Sequence, residues 1–188
     1  MTAHDLLETR TKHRLTADEF LLLDDAGAFG DRRTELLEGD VFYMSPKHRP
    51  HARMMSEMVV ALSNALARQG DGLSVLADIS VRLSNHNVPE PDLVITDAAE
   101  GEGILPLSAA RLVIEIADST LATDLGRKAE LYAEAGIAEY WVVDLSGQRL
   151  HQMWSPGEGG YAQRRKIALG GQVEAVTVER LVVTVLKG

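Results

Sequence analysis

VPEPDLVITD (88–97) and RLVIEIADS (111–119) decide how this chain folds. Each is a short run rich in β-branched residues and bounded by turn formers, the pattern of a buried strand. Each also carries a carboxylate beside apolar neighbours. In the second run, alternation puts Leu112, Ile114 and Ile116 on one face and Val113, Glu115 and Ala117 on the other, so Glu115 interrupts an apolar face. Asp92 heads the first run. A lone buried carboxylate is unfavourable, and two brought to one edge by adjacent strands repel, which raises one pKa unless a divalent metal holds both ionised. The metal is the simplest resolution. The alternative has Asp92 capping a turn and Glu115 pairing with a nearby arginine, and spacing alone leaves both open.

Working outward, LSVLADISVRL (73–83) and EYWVVDL (139–145) are further strand candidates. A helix over 124–135 separates 111–119 from 139–145, and Gly136 stops it. Toward the N-terminus, Thr16 and Glu19 have capping-box spacing and open a helix through FLLL that ends near Asp24. TELLEGDVFYM (34–44) reads as a hairpin around Gly39. After Pro50 a longer helix carries Met55, Met58, Val59, Leu62 and Leu66 at helical spacing and ends at Gly70 and Gly72. RLHQMW and YAQRRKIAL flank the Gly-rich PGEGG turn, and VEAVTVERLVVTVL (173–186) adds one or two strands. The expected architecture is α/β: a mixed sheet with helices on both faces and extra antiparallel hairpins at the C-terminus.

The bulk properties narrow the function. The 188 residues, 45% hydrophobic and 25% charged, suit one domain over 15–188 behind a flexible segment, 1–14. With no cysteine, disulfides, thiolate metal sites and cysteine nucleophiles are excluded. No apolar stretch approaches the ~20 residues of a membrane span, and 1–14 lacks a signal-peptide core, so a cytoplasmic protein is expected. The 19 Lys and Arg against 28 Asp and Glu give a net charge of −9, which repels phosphate backbones at long range. A nucleic-acid partner therefore needs a local basic patch. Lys47, His48, Arg49 and Arg53 form one candidate, and Arg164, Arg165 and Lys166 another, although such runs are more often solvated faces.

The helix over 124–135 holds the third informative residue. At about 100° per residue, Lys128 falls on the stripe shared by Leu131, Ala135, Tyr132 and Leu125, opposite Arg127, Glu130 and Glu134. An ammonium there either snorkels past the helix end or meets an anion, and Glu115 lies just upstream. Beside metal-bound carboxylates it is placed to position a water nucleophile or stabilise a developing phosphorane.

Several motifs together resemble the Uma-two family of endonucleases within the PD-(D/E)XK superfamily. They are the PD at 91–92, the Glu of VIEIADS, Asp124 and Lys128 ahead of Tyr132, GIAEYWVVD (136–144), TELLEGDVFYMSP (34–46) and His51. The resemblance runs from about Leu15 to Leu145 and into the C-terminal hairpins. It implies the restriction-endonuclease-like fold and a Mg²⁺-type site, with Mn²⁺ as substitute. By position, Asp92 and Glu115 match the metal-binding carboxylates and Lys128 the catalytic lysine. The superfamily lysine two residues after the Glu is Ala117 here, so the assignment relies on Lys128 reaching that space from the helix. Glu35 and His51 also match family positions and are candidates to support the ligands. On the residues alone, Glu35 reads as an exposed hairpin glutamate and His51 as a satisfied core histidine.

Two functions follow as expectations. One is metal-dependent hydrolysis of nucleic acid, DNA by preference, through Asp92, Glu115 and Lys128. The other, drawn from the acidic charge, is a non-catalytic binding or assembly module that keeps the fold. Trp141 reads as core and Trp154 as dimer surface. Exposed C-terminal strands would be covered by a twofold partner, which predicts a homodimer.

Overall fold

The computed structural model describes residues 11–185 and 187, so most of the expected flexible segment 1–14 lies outside the described residues. Helix α1 (Ala17–Asp25) starts at a complete capping box: the Thr16 hydroxyl accepts from the Glu19 N–H, and the Glu19 carboxylate accepts from the Thr16 N–H. Strands β1 (Thr34–Leu37) and β2 (Asp40–Tyr43) form the expected hairpin. Its turn needs Gly39, whose φ is +81° and where a Cβ would lie 2.5 Å from the Arg14 Cβ. Helix α2 (Arg49–Gln69) follows, and Gly70 closes it in the left-handed conformation. Then come β3 (Ser74–Ala77), β4 (Val81–Arg82), β5 (Leu93–Thr96), β6 (Leu105–Pro106) and β7 (Ala110–Ala117). Helix α3 comprises an α-helical turn (Leu121–Thr123), a π-helical turn (Asp124–Lys128) and an α-helix (Ala129–Glu134). Strands β8 (Glu139–Asp144), β9 (Arg149–Gly157), β10 (Gly160–Ala168), β11 (Gln172–Glu174) and β12 (Val182–Thr184) complete the chain.

Six strands form the central sheet in the order β10-β9-β8-β7-β5-β3, with β7 and β8 parallel and the other neighbours antiparallel. A parallel pair needs a crossover, and α3 supplies it. The sheet is covered on both faces, as expected. On one, Met54, Met58, Leu62 and Leu66 of α2 pack against Leu93, Ile95, Leu112, Ile114, Ile116 and Trp141. On the other, Ala129, Tyr132 and Ala133 of α3 pack against Val113, Ala117, Tyr140, Val142 and Met153. The alternation read in RLVIEIADS is realised, with Glu115 on the α3 face.

Two expectations are corrected. LSVLADISVRL is not one strand, because Asp78 takes a positive φ of 52° and donates its N–H to the Asp92 carbonyl (3.0 Å). The chain turns there, so β3 joins the main sheet while β4 pairs in parallel with β6. The helix expected over 124–135 begins at Leu121 and includes the π-helical turn. The Tyr140 hydroxyl donates to the Asp124 carbonyl at its start (3.1 Å) and helps to satisfy the irregular backbone. Val173, Val183 and Val185 of the C-terminal strands are buried with Leu62 and Leu66 of α2 in one core. Among the described residues no helix is long and apolar enough to cross a membrane.

Candidate active site

Residues Leu93 of β5 and Ile114 of β7 are paired, and one further step of this antiparallel register sets Asp92 opposite Glu115. Both carboxylates open into a cavity of about 460 Å³ that Glu35, Lys47, Asp124 and Lys128 also line. A larger groove of about 600 Å³ runs between α2 and the C-terminal strands. Among the described residues its only ionisable ones are Glu57 and Arg68.

Each carboxylate is held by a different set of groups. Asp92, 5% exposed, uses Oδ2 to accept from the Ile116 N–H (2.7 Å) and to meet His51 Nε2 (3.0 Å), while Oδ1 lies 2.8 Å from Lys47 Nζ. Burial works against its ionisation, but His51 and Lys47 overcome that and bring its pKa down to about 2. Glu115, 5% exposed, accepts through Oε1 from Lys128 Nζ (3.1 Å) and from the Tyr132 hydroxyl (3.0 Å). Burial dominates there. The carboxylates of Asp92, Asp124 and Glu35 add to it, and together they outweigh Lys128 and push Glu115 up to about 8. Asp124 accepts from the Thr120 hydroxyl and is raised to about 6, again chiefly by burial.

Lys128 does not snorkel. It is 7% exposed, and its ammonium lies 3.1 Å from both Glu115 Oε1 and Glu35 Oε2. Burial disfavours its charge, but Glu115, Glu35 and Asp124 more than offset this and keep it protonated. Asp124, Lys128 and Tyr132 sit four residues apart and all turn toward Glu115, which is how α3 delivers them to the end of β7.

Glu35 corrects the reading from sequence: it is buried, not an exposed hairpin residue. The β1–β2 hairpin packs its Glu35 edge over α3, and Lys128 gives that carboxylate its reason to be inside. His51 is likewise more than a core histidine, since its imidazole orients Asp92. The sequence gives Asp124 and Tyr132 no role in the site, and Lys47 reads there only as part of a candidate phosphate-contacting run. The four-residue spacing from Lys128 was a usable signal for the first two. Lys47 was hidden in a basic run.

The donor set suits a hard divalent cation. Five carboxylates, of Glu35, Asp92, Glu115, Asp118 and Asp124, line the cavity with two lysines, and every anionic donor is an oxygen. Glu35 Oε2 is buried without a hydrogen-bond partner, because Lys128 approaches it at ion-pair distance but outside hydrogen-bond geometry. Among the described residues no three acidic or imidazole side chains form a ready-made cage. The lysines hold the carboxylates that a cation would share.

A family model described as "Putative restriction endonuclease", Uma2, matches residues 17–185. The fold resembles a solved structure from Anabaena variabilis, described as "a putative nuclease belonging to DUF820". The TM-score is 0.65 and the identity 18%, over 86% of this chain and 89% of that one. Comparison with curated proteins gives no match.

Proposed function

The chain belongs to the Uma2 family, and from that premise we propose that it is a metal-dependent endonuclease hydrolysing phosphodiester bonds of nucleic acid, DNA being the expected substrate. The observation that carries this reading is the pairing of Asp92 and Glu115 across β5 and β7, with the Lys128 ammonium beside Glu115 in the same cavity. In this reading residues 15–188 act as one domain behind the 1–14 segment.

Asp92 and Glu115 would hold Mg²⁺, or Mn²⁺ in its place, with Glu35 as an acidic neighbour. When bound, the ion supplies a water of lowered pKa and neutralises charge on the phosphate. The chain's own residues do the rest. His51 and the Ile116 N–H fix the Asp92 carboxylate through Oδ2. Tyr132 anchors Glu115 through Oε1 and directs its other oxygen into the cavity. Lys128, kept charged by its carboxylate neighbours, donates to the attacking water or to a non-bridging phosphate oxygen as negative charge accumulates. Its fixed position supplies that stabilisation without reorganisation.

The test is incubation of supercoiled plasmid and single-stranded oligonucleotides with the purified protein in Mg²⁺ or Mn²⁺, with and without excess EDTA. The proposal expects cleavage that EDTA abolishes. Cleavage indifferent to EDTA would refute the metal dependence, and no cleavage of either substrate would favour the binding-module reading.

A further inference from the structure

Lys47 stands out because its ammonium bridges two carboxylates, only one of which belongs to the proposed metal site. Its Nζ lies 2.8 Å from Asp92 Oδ1 and also contacts Asp78 Oδ1. The other oxygen of Asp92 is already occupied by His51 and the Ile116 N–H. Asp92 Oδ1 is therefore the oxygen left for an external cation, and it is the one that Lys47 holds. A divalent ion and an ammonium sharing one carboxylate oxygen would repel strongly, even at the dielectric of a hydrated cavity.

Asp78 offers the ammonium another place. It sits at the break after β3, where its N–H is fixed to the Asp92 carbonyl, and its side chain is 34% exposed. Arg33 holds the same Asp78 oxygen (2.9 Å) and also pairs with Glu90, so the carboxylate is secured on its outer side. The Lys47 side chain is itself 18% exposed and lines the cavity wall. Moving off Asp92 would cost it one of two anionic partners and leave the other in place.

We propose that Lys47 is an exchangeable counter-ion, filling the cation's place at Asp92 in the metal-free protein and passing to Asp78 when a divalent ion loads. The inference rests on the metal-dependent reading above. It makes loading a substitution of one cation for another, which keeps the buried Asp92 compensated in both states. It also gives the Asp78 break a purpose beyond ending a strand.

Calorimetric titration of Mn²⁺ into the metal-free wild type, Lys47→Met, Lys47→Arg and Asp78→Asn tests it without reference to activity. Lys47→Met removes the competing charge and should tighten Mn²⁺ binding about tenfold. Lys47→Arg keeps a cation there and should not tighten it. Asp78→Asn, which tolerates the left-handed backbone, removes the alternative partner and should weaken binding about threefold or more. General loosening of the fold would weaken all the variants, so opposite shifts in Lys47→Met and Asp78→Asn are diagnostic. Unchanged or weaker binding in Lys47→Met overturns the exchange while wild-type binding leaves the metal site standing. Failure of both the wild type and Lys47→Met to bind removes the metal site and the exchange together.

Discussion

Glu115→Gln is expected to lower metal-dependent cleavage by about a thousandfold or more while leaving the protein folded. The amide keeps the volume and an acceptor for Lys128 and Tyr132, so the contacts that position the end of β7 survive. What is lost is the anionic charge. The same substitution has a signature in stability. Glu115 is raised from its ordinary 4.5 to about 8, first by burial and then by Asp92, Asp124 and Glu35. The folded chain therefore binds this proton more tightly than the unfolded chain, and folding stability falls as pH rises from about 4.5 through about 8. Glu115→Gln cannot lose that proton. In EDTA, the melting temperature of the wild type should fall relative to the variant across this window. Parallel melting profiles would show that Glu115 ionises freely in the folded state, and retained cleavage would remove it from the mechanism.

Lys128→Met should carry the largest cost to the fold itself. The lysine is 7% exposed and stands between Glu35 and Glu115, both also buried. Removing one partner of a buried ionic group leaves uncompensated charge, which typically costs about 3–5 kcal/mol. Urea unfolding at pH 8 should show a loss of that order. The loss should shrink at lower pH as Glu115, raised by burial and raised further once the Lys128 charge is gone, takes up a proton. Cleavage should fall at least a hundredfold even where the variant is fully folded. A destabilisation below about 1 kcal/mol at pH 8 would mean that the ammonium is not what allows these carboxylates to be buried.

These two residues are legible in the sequence itself, for a simple physical reason. Period-two alternation puts Glu115 on an apolar face, and period-3.6 phasing puts Lys128 on another, so each violates a local rule and the violations answer each other. Asp92 was legible for the same reason, and the β5–β7 register brings it opposite Glu115. The capping box at Thr16, the hairpin at Gly39 and the helix stop at Gly136 also follow from local chemistry, and each is present. The burial of Glu35 and the place of Lys47 beside Asp92 were not legible from the residues themselves, because they depend on partners about 93 and 45 positions away in the chain. Nor does any composition rule anticipate the left-handed Asp78 that splits an apparently continuous strand. The π-helical turn is similar: its backbone is completed by a hydroxyl from β8, which period counting within the helix cannot see.

The central claim is that Asp92 and Glu115 together form a divalent cation site, and calorimetric titration of Mn²⁺ into the metal-free wild type and into Asp92→Asn tests it most directly. The account predicts saturable binding by the wild type and its loss in Asp92→Asn, with both proteins folded by circular dichroism. Equal binding by the two proteins, or none by the wild type, would contradict it.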